Sequence, residues 1–253
     1  MPKLKLHCWV LLCFIVASFN IRAWAGKYFY LEQNSLVSGK TKIYYNDKIL
    51  IFNMPQLKIF VIAYPNNNDV IVVNTKDKLY YQVNYTRYQG NFAQRSANHS
   101  LNCVKASDWK NIASKIYDNL NCLKLVKYNL AADKTKPTNP IALSSELLKD
   151  DLDNFYDMEC LVIKNKTLSL AQSTVIGNVF GLKKLNCLPI TACINYNDGK
   201  NTDILTTSKK QEIDSDIESR ISYTDYKKVT GEIGVYDLKT NLSSQLKDFL
   251  DIR

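Results

Sequence analysis

Histidine is nearly missing from this chain. Of its two histidines, His7 lies in an apolar leader and His99 in a polar loop. Zinc sites built on two or three imidazoles are thereby excluded beyond the leader. A histidine-based triad has only His99 to use, and no Gly-x-Ser-x-Gly surrounds any serine. His99 lies close to Cys103, but four residues apart in a loop is no recognised nucleophile arrangement. There is no G-x-G-x-x-G, no Walker loop and no C-x-x-C that would suggest a zinc ribbon or a thioredoxin motif. The acids Asp150, Asp151, Asp153 and Asp157 cluster, and on a helical segment they read as a solvated face. The sequence therefore predicts no catalytic residue, no metal ligand and no cofactor.

Long apolar runs are also lacking. Cys8 to Phe19 is a stretch of about a dozen residues, too short to span a bilayer. It follows the basic Lys3 and Lys5 and precedes Ala23-Trp24-Ala25, an A-x-A cleavage pattern. Residues 1–25 thus read as a secretory signal peptide, with Gly26 as the first residue of the exported protein. That places the chain in a periplasmic or extracellular compartment. The 253 residues less those 25 leave 228, one sizeable domain over 26–253. The leader removes three cations (Lys3, Lys5, Arg22) and no acid, so the net charge falls from +9 to +6. The basic residues are scattered, as in the pairs Lys209-Lys210 and Lys227-Lys228. A solvated surface is the expected reading, contact with an anionic membrane surface the sharper one, and nucleic acid is not a partner.

What is present in quantity is strand. Gly26 to Val37 opens the domain. Thr41 to Tyr45, Ile49 to Phe52, Leu57 to Tyr64, Val70 to Val73 and Leu79 to Tyr85 follow, with turn residues between them. Leu79, Tyr81, Val83 and Tyr85 alternate with Tyr80, Gln82 and Asn84, the period of a half-buried strand. Connections this short predict an antiparallel meander. Leu57–Tyr64 and Val70–Val73 carry little polar alternation, so both of their faces should be covered.

Helices are expected to supply that cover. Ser107 reads as an N-cap ahead of Trp109, Ile112, Ile116 and Leu120 at helical spacing. Ser144-Ser145-Glu146 opens a second helix to about Phe155. Leu168 to Leu182 repeats apolar residues at helical spacing, against its β-branched residues and two glycines. Leu242 to Leu250 reads as a short C-terminal helix. Cys122 to Leu130, Met158 to Ile163 and Ile221 to Tyr236 read as strands. Asp198-Gly199, between Pro189–Tyr196 and Asp203–Gln211, is the strongest hairpin signal in the chain. The fold class is α+β: a curved antiparallel sheet, an open or half barrel, with helices packed across one face.

Export permits disulfides. Five cysteines follow the leader, an odd number, and Cys103–Cys122 and Cys187–Cys193 are the pairs ranked first. The alternative is that several are small buried hydrophobes.

A curved sheet crossed by a helix can hold an aliphatic ligand between the two layers. If alternate positions face inward, Tyr45, Ile51, Phe60, Ile62, Val72, Tyr81 and Val83 line that space. The rival is a secreted or envelope structural or interaction module that uses exposed tyrosines and strand edges and holds no ligand.

The stretch Ile221-Ser222-Tyr223-Thr224-Asp225-Tyr226-Lys227-Lys228-Val229 resembles the F-x-x-P-x-G-Y-x-x-V strand of LolA/LolB-like lipoprotein carriers. Tyr226 and Val229 match, Ile221 substitutes conservatively, and Thr224 and Asp225 stand where those relatives have Pro and Gly. Phe180-Gly181-Leu182, Leu188-Pro189-Ile190 and the Asp198-Gly199 hairpin are similar to the same group. The resemblance implies an open β-barrel with a helical lid and an apolar cavity for a lipid or acylated molecule, and no catalysis. It carries over no binding residue.

Overall fold

The computed structural model describes residues 26–90, 107–130, 156–197 and 199–230. Twelve strands form one open, curved sheet in the order β12-β6-β5-β4-β3-β2-β1-β11-β10-β9-β8-β7. The first arm is the expected meander: β1 (Gly26–Ser35), β2 (Gly39–Asn46), β3 (Ile49–Met54), β4 (Ile59–Ala63), β5 (Asp69–Asn74) and β6 (Leu79–Asn84). Its turns are set by short polar side chains. Asn46 Oδ1 accepts from the Lys48 and Ile49 amides at 2.9 and 3.0 Å. Asn74 Oδ1 does the same for Lys76 and Asp77, at 3.0 Å each.

The second arm is β7 (Lys110–Tyr117), β8 (Leu120–Tyr128), β9 (Asp157–Thr167), β10 (Cys187–Asn195) and β11 (Asn201–Ser215). The β10–β11 hairpin forms where the sequence places it, with Gly199 at φ 81°. The arms join through β1 and β11, which pair antiparallel from Gly26–Ser215 to Ser35–Leu205.

The helix expected from Ser107 is instead the β7–β8 hairpin. Asp118 and Asn119 take φ of 50° and 64°. Two successive positive φ values make a two-residue turn whose twist suits an antiparallel pair, and Asp and Asn are among the residues that adopt it most readily. The apolar residues that mimic a helical stripe do not form a core. Ile112 is 51 % exposed and Ile116 76 % exposed on an outermost strand. The expected helices over 144–155 and 242–250 lie outside the described residues.

Helix α1 (Leu170–Phe180) confirms the periodicity of 168–182. It starts with a capping box, Ser169 Oγ receiving the Gln172 amide and Gln172 returning to the Ser169 amide, and it ends on left-handed Gly181. These are standard start and stop devices. Val175, Ile176, Val179 and Phe180 are fully buried. Each contributes about 1.5–3 kcal/mol on burial. Although α1 connects β9 to β10, it packs on β4 and β5 of the other arm. The Phe180 ring stands edge-on to Phe52 at 5.5 Å. The sheet curls far enough for α1 to fill its trough.

The opposite face is covered by a strap; of the closing strand read from Ile221 to Tyr236, residues 231–236 lie outside the described residues, and residues 221–226 are turns and irregular chain. Helix α2 (Ile217–Arg220) and the turns after it cross that face. Only Lys227–Lys228 (β12) pair, parallel to Leu79–Tyr80 of β6. Ile217 and Ile221 pack with Ile49, Ile51, Ile62, Ile71 and Val73. The Tyr223 ring lies 4.8 Å from Tyr80.

Candidate functional site

The meander carries two apolar faces, and the register fixes which residue is on which. Phe29, Tyr45, Leu50, Ala63, Val70 and Val83 stand opposite one another in a continuous row. So do Tyr44, Ile51, Ile62 and Ile71, one position over. Opposed residues share a face and sequence neighbours do not. Of the seven residues expected to line one cavity, Tyr45, Val72, Tyr81 and Val83 belong to the trough with α1. Ile51, Ile62 and Phe60 belong to the strap face. Because β3, β4 and β5 are apolar on both sides, their sequence gives no parity signal, and the alternate-position assumption slips by one residue.

The trough is closed in the middle and less so at its margins. Tyr81, Val83 and Tyr85 on the β6 side pack against the core while half-buried, as do Trp109, Leu120 and Leu123 on the β7–β8 side. Tyr45 ties the two arms, its hydroxyl donating to the Thr167 carbonyl at 2.6 Å. Its pKa is raised, chiefly by burial, with Asp47 and Cys187 adding to the effect.

At the β8 margin the apolar surface ends in cations. Leu123, Leu125 and Lys127 alternate along β8 on one face, opposite Val162, Cys160 and Met158 of the core. Lys127 Nζ sits 5.8 Å from the Trp109 ring. The indole Nε1 donates to the Lys183 carbonyl at 2.9 Å. Lys184 Nζ reaches Asp108 Oδ1 at 2.9 Å. Burial first, then the charges of Lys184 and Lys183, pull the Lys127 pKa down, with Asp108 opposing. The Lys127 ammonium thus lies by the indole, the Lys184 ammonium on the Asp108 carboxylate, and exposed Lys183 is tied to the indole by its carbonyl. Neither Lys127 nor the Lys183-Lys184 pair stands out in the sequence; Trp109 does, read there as part of the helix expected from Ser107.

A cleft of ≈ 390 Å³ opens at the β1–β2 end, lined among others by Lys27, Phe29, Tyr45, Lys166, Glu212 and Asp214. Lys166 Nζ already lies 5.2 Å over the Phe29 ring. Its mixed charges make it a poor seat for an alkyl chain.

Cys122, Cys160, Cys187 and Cys193 are free thiols, the first three buried. Cys187 and Cys193 lie on one extended strand, β10. Six residues of strand separate them by about 20 Å, far beyond disulfide reach. Cys122 sits in the core rather than at the end of a helix, and Cys103, like His99, lies outside the described residues. Burial raises the thiol pKa values at Cys122, Cys160, Cys187 and Cys193. That is the behaviour of packing residues rather than nucleophiles. Asp157 accepts from Asn195 Nδ2 at 2.7 Å as part of the β9–β10 pairing, and the other members of its acidic cluster lie outside the described residues. Among the described residues no group of three or more His, Cys, Asp or Glu side chains is arranged to hold a metal ion.

No protein-family model matches the chain, and no curated protein matches it. Among solved structures it is similar to an uncharacterized conserved protein from Thermus thermophilus. That match has 8% identity and a TM-score of 0.32, and covers 80% of this chain and 89% of the other. It is also similar to a domain from Vibrio parahaemolyticus named for outer membrane lipoprotein sorting. There the identity is 8%, the TM-score 0.24, and the coverage 75% of this chain and 86% of the other. Scores of this size do not establish a shared fold.

Proposed function

We propose that the protein is an exported, non-catalytic binder of a lipid or acylated molecule, with the alkyl chain lying against the margin of the trough. The observation that carries this reading is the set of half-buried apolar side chains left beside an otherwise closed core: Tyr81, Val83 and Tyr85 on one arm, Trp109 and Leu123 on the other. Covering such a strip removes apolar area from water at about 0.8 kcal/mol per buried methylene. Among the described residues, α1 occupies the middle of the trough, so the chain binds along a margin rather than in a closed internal cavity. Export is part of the same reading. It is supported by the leader pattern of residues 1–25.

Trp109 is the only tryptophan after Trp24 and reports on one margin. Titrating the processed protein with palmitate should shift its emission to the blue and saturate at a fixed stoichiometry. Native mass spectrometry of protein taken from its own compartment should show acyl adducts. An unshifted emission together with a clean apo mass defeats the proposal, and a first residue far from Gly26 defeats the export half.

The second reading, an interaction module, draws on β7, where all eight residues are exposed at the end of the sheet. An outermost strand can template pairing with another chain. Against that, β7 carries Lys110 and Lys115 and is bulged near Ile112, features that discourage such pairing.

A further inference from the structure

We infer that the amphiphile bound at this margin is anionic, its head group held by Lys127, Lys183 and Lys184 beside Trp109. The inference rests on the lipid-binding reading above and adds the charge and the place of the head.

Three observations converge. First, Lys127 shares a face of β8 with Leu123 and Leu125, and stands opposite the core residue Met158. Its stem therefore belongs to the apolar surface, and its ammonium marks where that surface ends. Second, the chain after α1 brings two more cations to the same spot. Leu182 and Leu185 are fully buried on either side of Lys183 and Lys184, and the Trp109 indole holds the Lys183 carbonyl. Third, Asp108 is the acid acting on Lys127 in this group, and it is already hydrogen-bonded to Lys184. Like charges held together beside apolar surface repel one another, and the arrangement becomes favourable when an anion sits among them. An indole next to ammonium groups at the edge of an apolar strip suits the boundary between an alkyl chain and its polar head.

The chemistry that fits is a single alkyl chain carrying a phosphate or carboxylate. A zwitterionic head returns a positive charge to a site that already has three. A free phosphate lacks the chain. Calorimetric titration of the exported protein with monomeric lysophosphatidylglycerol, lysophosphatidylcholine and glycerophosphate separates these cases. The anionic lysolipid should bind about tenfold tighter than the zwitterionic one, the ratio expected of one charge-assisted contact. Its advantage should shrink as salt rises. Glycerophosphate should not bind detectably. Lys183→Gln with Lys184→Gln should remove the preference, bringing the anionic lysolipid to the affinity of lysophosphatidylcholine. Lys127→Met, which keeps the packed stem, should do the same.

Equal affinity for the two lysolipids overturns the head-group assignment and leaves the lipid-binding reading standing. Failure of both lysolipids to bind removes that reading and this one with it. Glycerophosphate binding as tightly as the anionic lysolipid also overturns the inference, because the site then takes an anion without a chain. Capture on phosphatidylglycerol vesicles without binding of the monomer overturns it too, in favour of a membrane-docking face.

Discussion

Tyr45 on β2 and Thr167 at the end of β9 meet across the trough, the phenol donating to the carbonyl oxygen at 2.6 Å. The two strands lie on different arms of the sheet, four places apart in its order. The bond records how far the sheet curls. Tyr45→Phe should keep the ring in place and leave the Thr167 carbonyl without this donor. We expect a loss of about 1 kcal/mol, the usual net worth of such a bond. Urea denaturation should show it as a lower midpoint at an unchanged slope.

Gly177 decides how closely the chain after α1 can return. A Cβ at this position would stand 3.1 Å from Lys183 Cα. Alanine is otherwise favoured over glycine in a helix by about 1 kcal/mol. Here the contact is with backbone, so Gly177→Ala should displace the Lys183 segment and give net destabilisation. It should also loosen the bond from Trp109 to the Lys183 carbonyl. Thermal melts and a red shift of Trp109 emission check the two effects together.

Ile116 separates the two functional readings. It is 76 % exposed on β7, and Ile116→Lys should change stability by no more than about 0.5 kcal/mol. Under the lipid-binding reading it should leave palmitate affinity untouched. If the change instead abolished a specific self-association seen by light scattering, β7 would be an interaction edge and the module reading would gain.

Alkaline pH should unfold the protein through its tyrosines. Burial is the first cause of raised pKa values at Tyr28, Tyr30, Tyr44, Tyr45, Tyr64, Tyr88 and Tyr223. At Tyr28 a hydrogen bond to Glu218 adds to it, and at Tyr30 one to Glu32. Below pH 10, the ordinary tyrosine value, folded and unfolded chains both keep these protons. Above it the unfolded chain releases protons that the folded chain retains, so stability falls as pH rises. Tyrosinate absorbance should therefore lag at first and then rise together with the loss of circular dichroism. Gradual ionisation of all the tyrosines with the fold intact would contradict this.

Much of the fold is legible because its signals are local. Asn46, Asn74 and left-handed Gly199 set turns through the chemistry of a few neighbouring atoms. The alternation in Leu79–Tyr85 and the spacing in Leu168–Leu182 each lead to the right element. The segment after Ser107 misleads because Trp109, Ile112, Ile116 and Leu120 satisfy helical spacing by count. The Asp118-Asn119 turn that overrides them is as local, but weaker in appearance than a turn with glycine. The site is less legible than the fold. Tyr45, Val72, Tyr81 and Val83 lie on the trough side, whereas Ile51, Phe60 and Ile62 face the strap. Lys127, Lys183 and Lys184 carry no mark in the sequence beyond their charge.

The sequence alone determines a sheet-rich chain, opened by an antiparallel meander, with a helix over about 168–182 and none of the standard catalytic motifs. Patterns of spacing and turn chemistry suffice for that, because they act over a few residues. Only the tertiary structure decides that β1 pairs with β11, that α1 fills the trough, and that Trp109 meets Lys183. Those contacts join residues 74 to nearly 190 positions apart. Burial of a shared core selects them, and the gain belongs to the assembled surface rather than to any one segment.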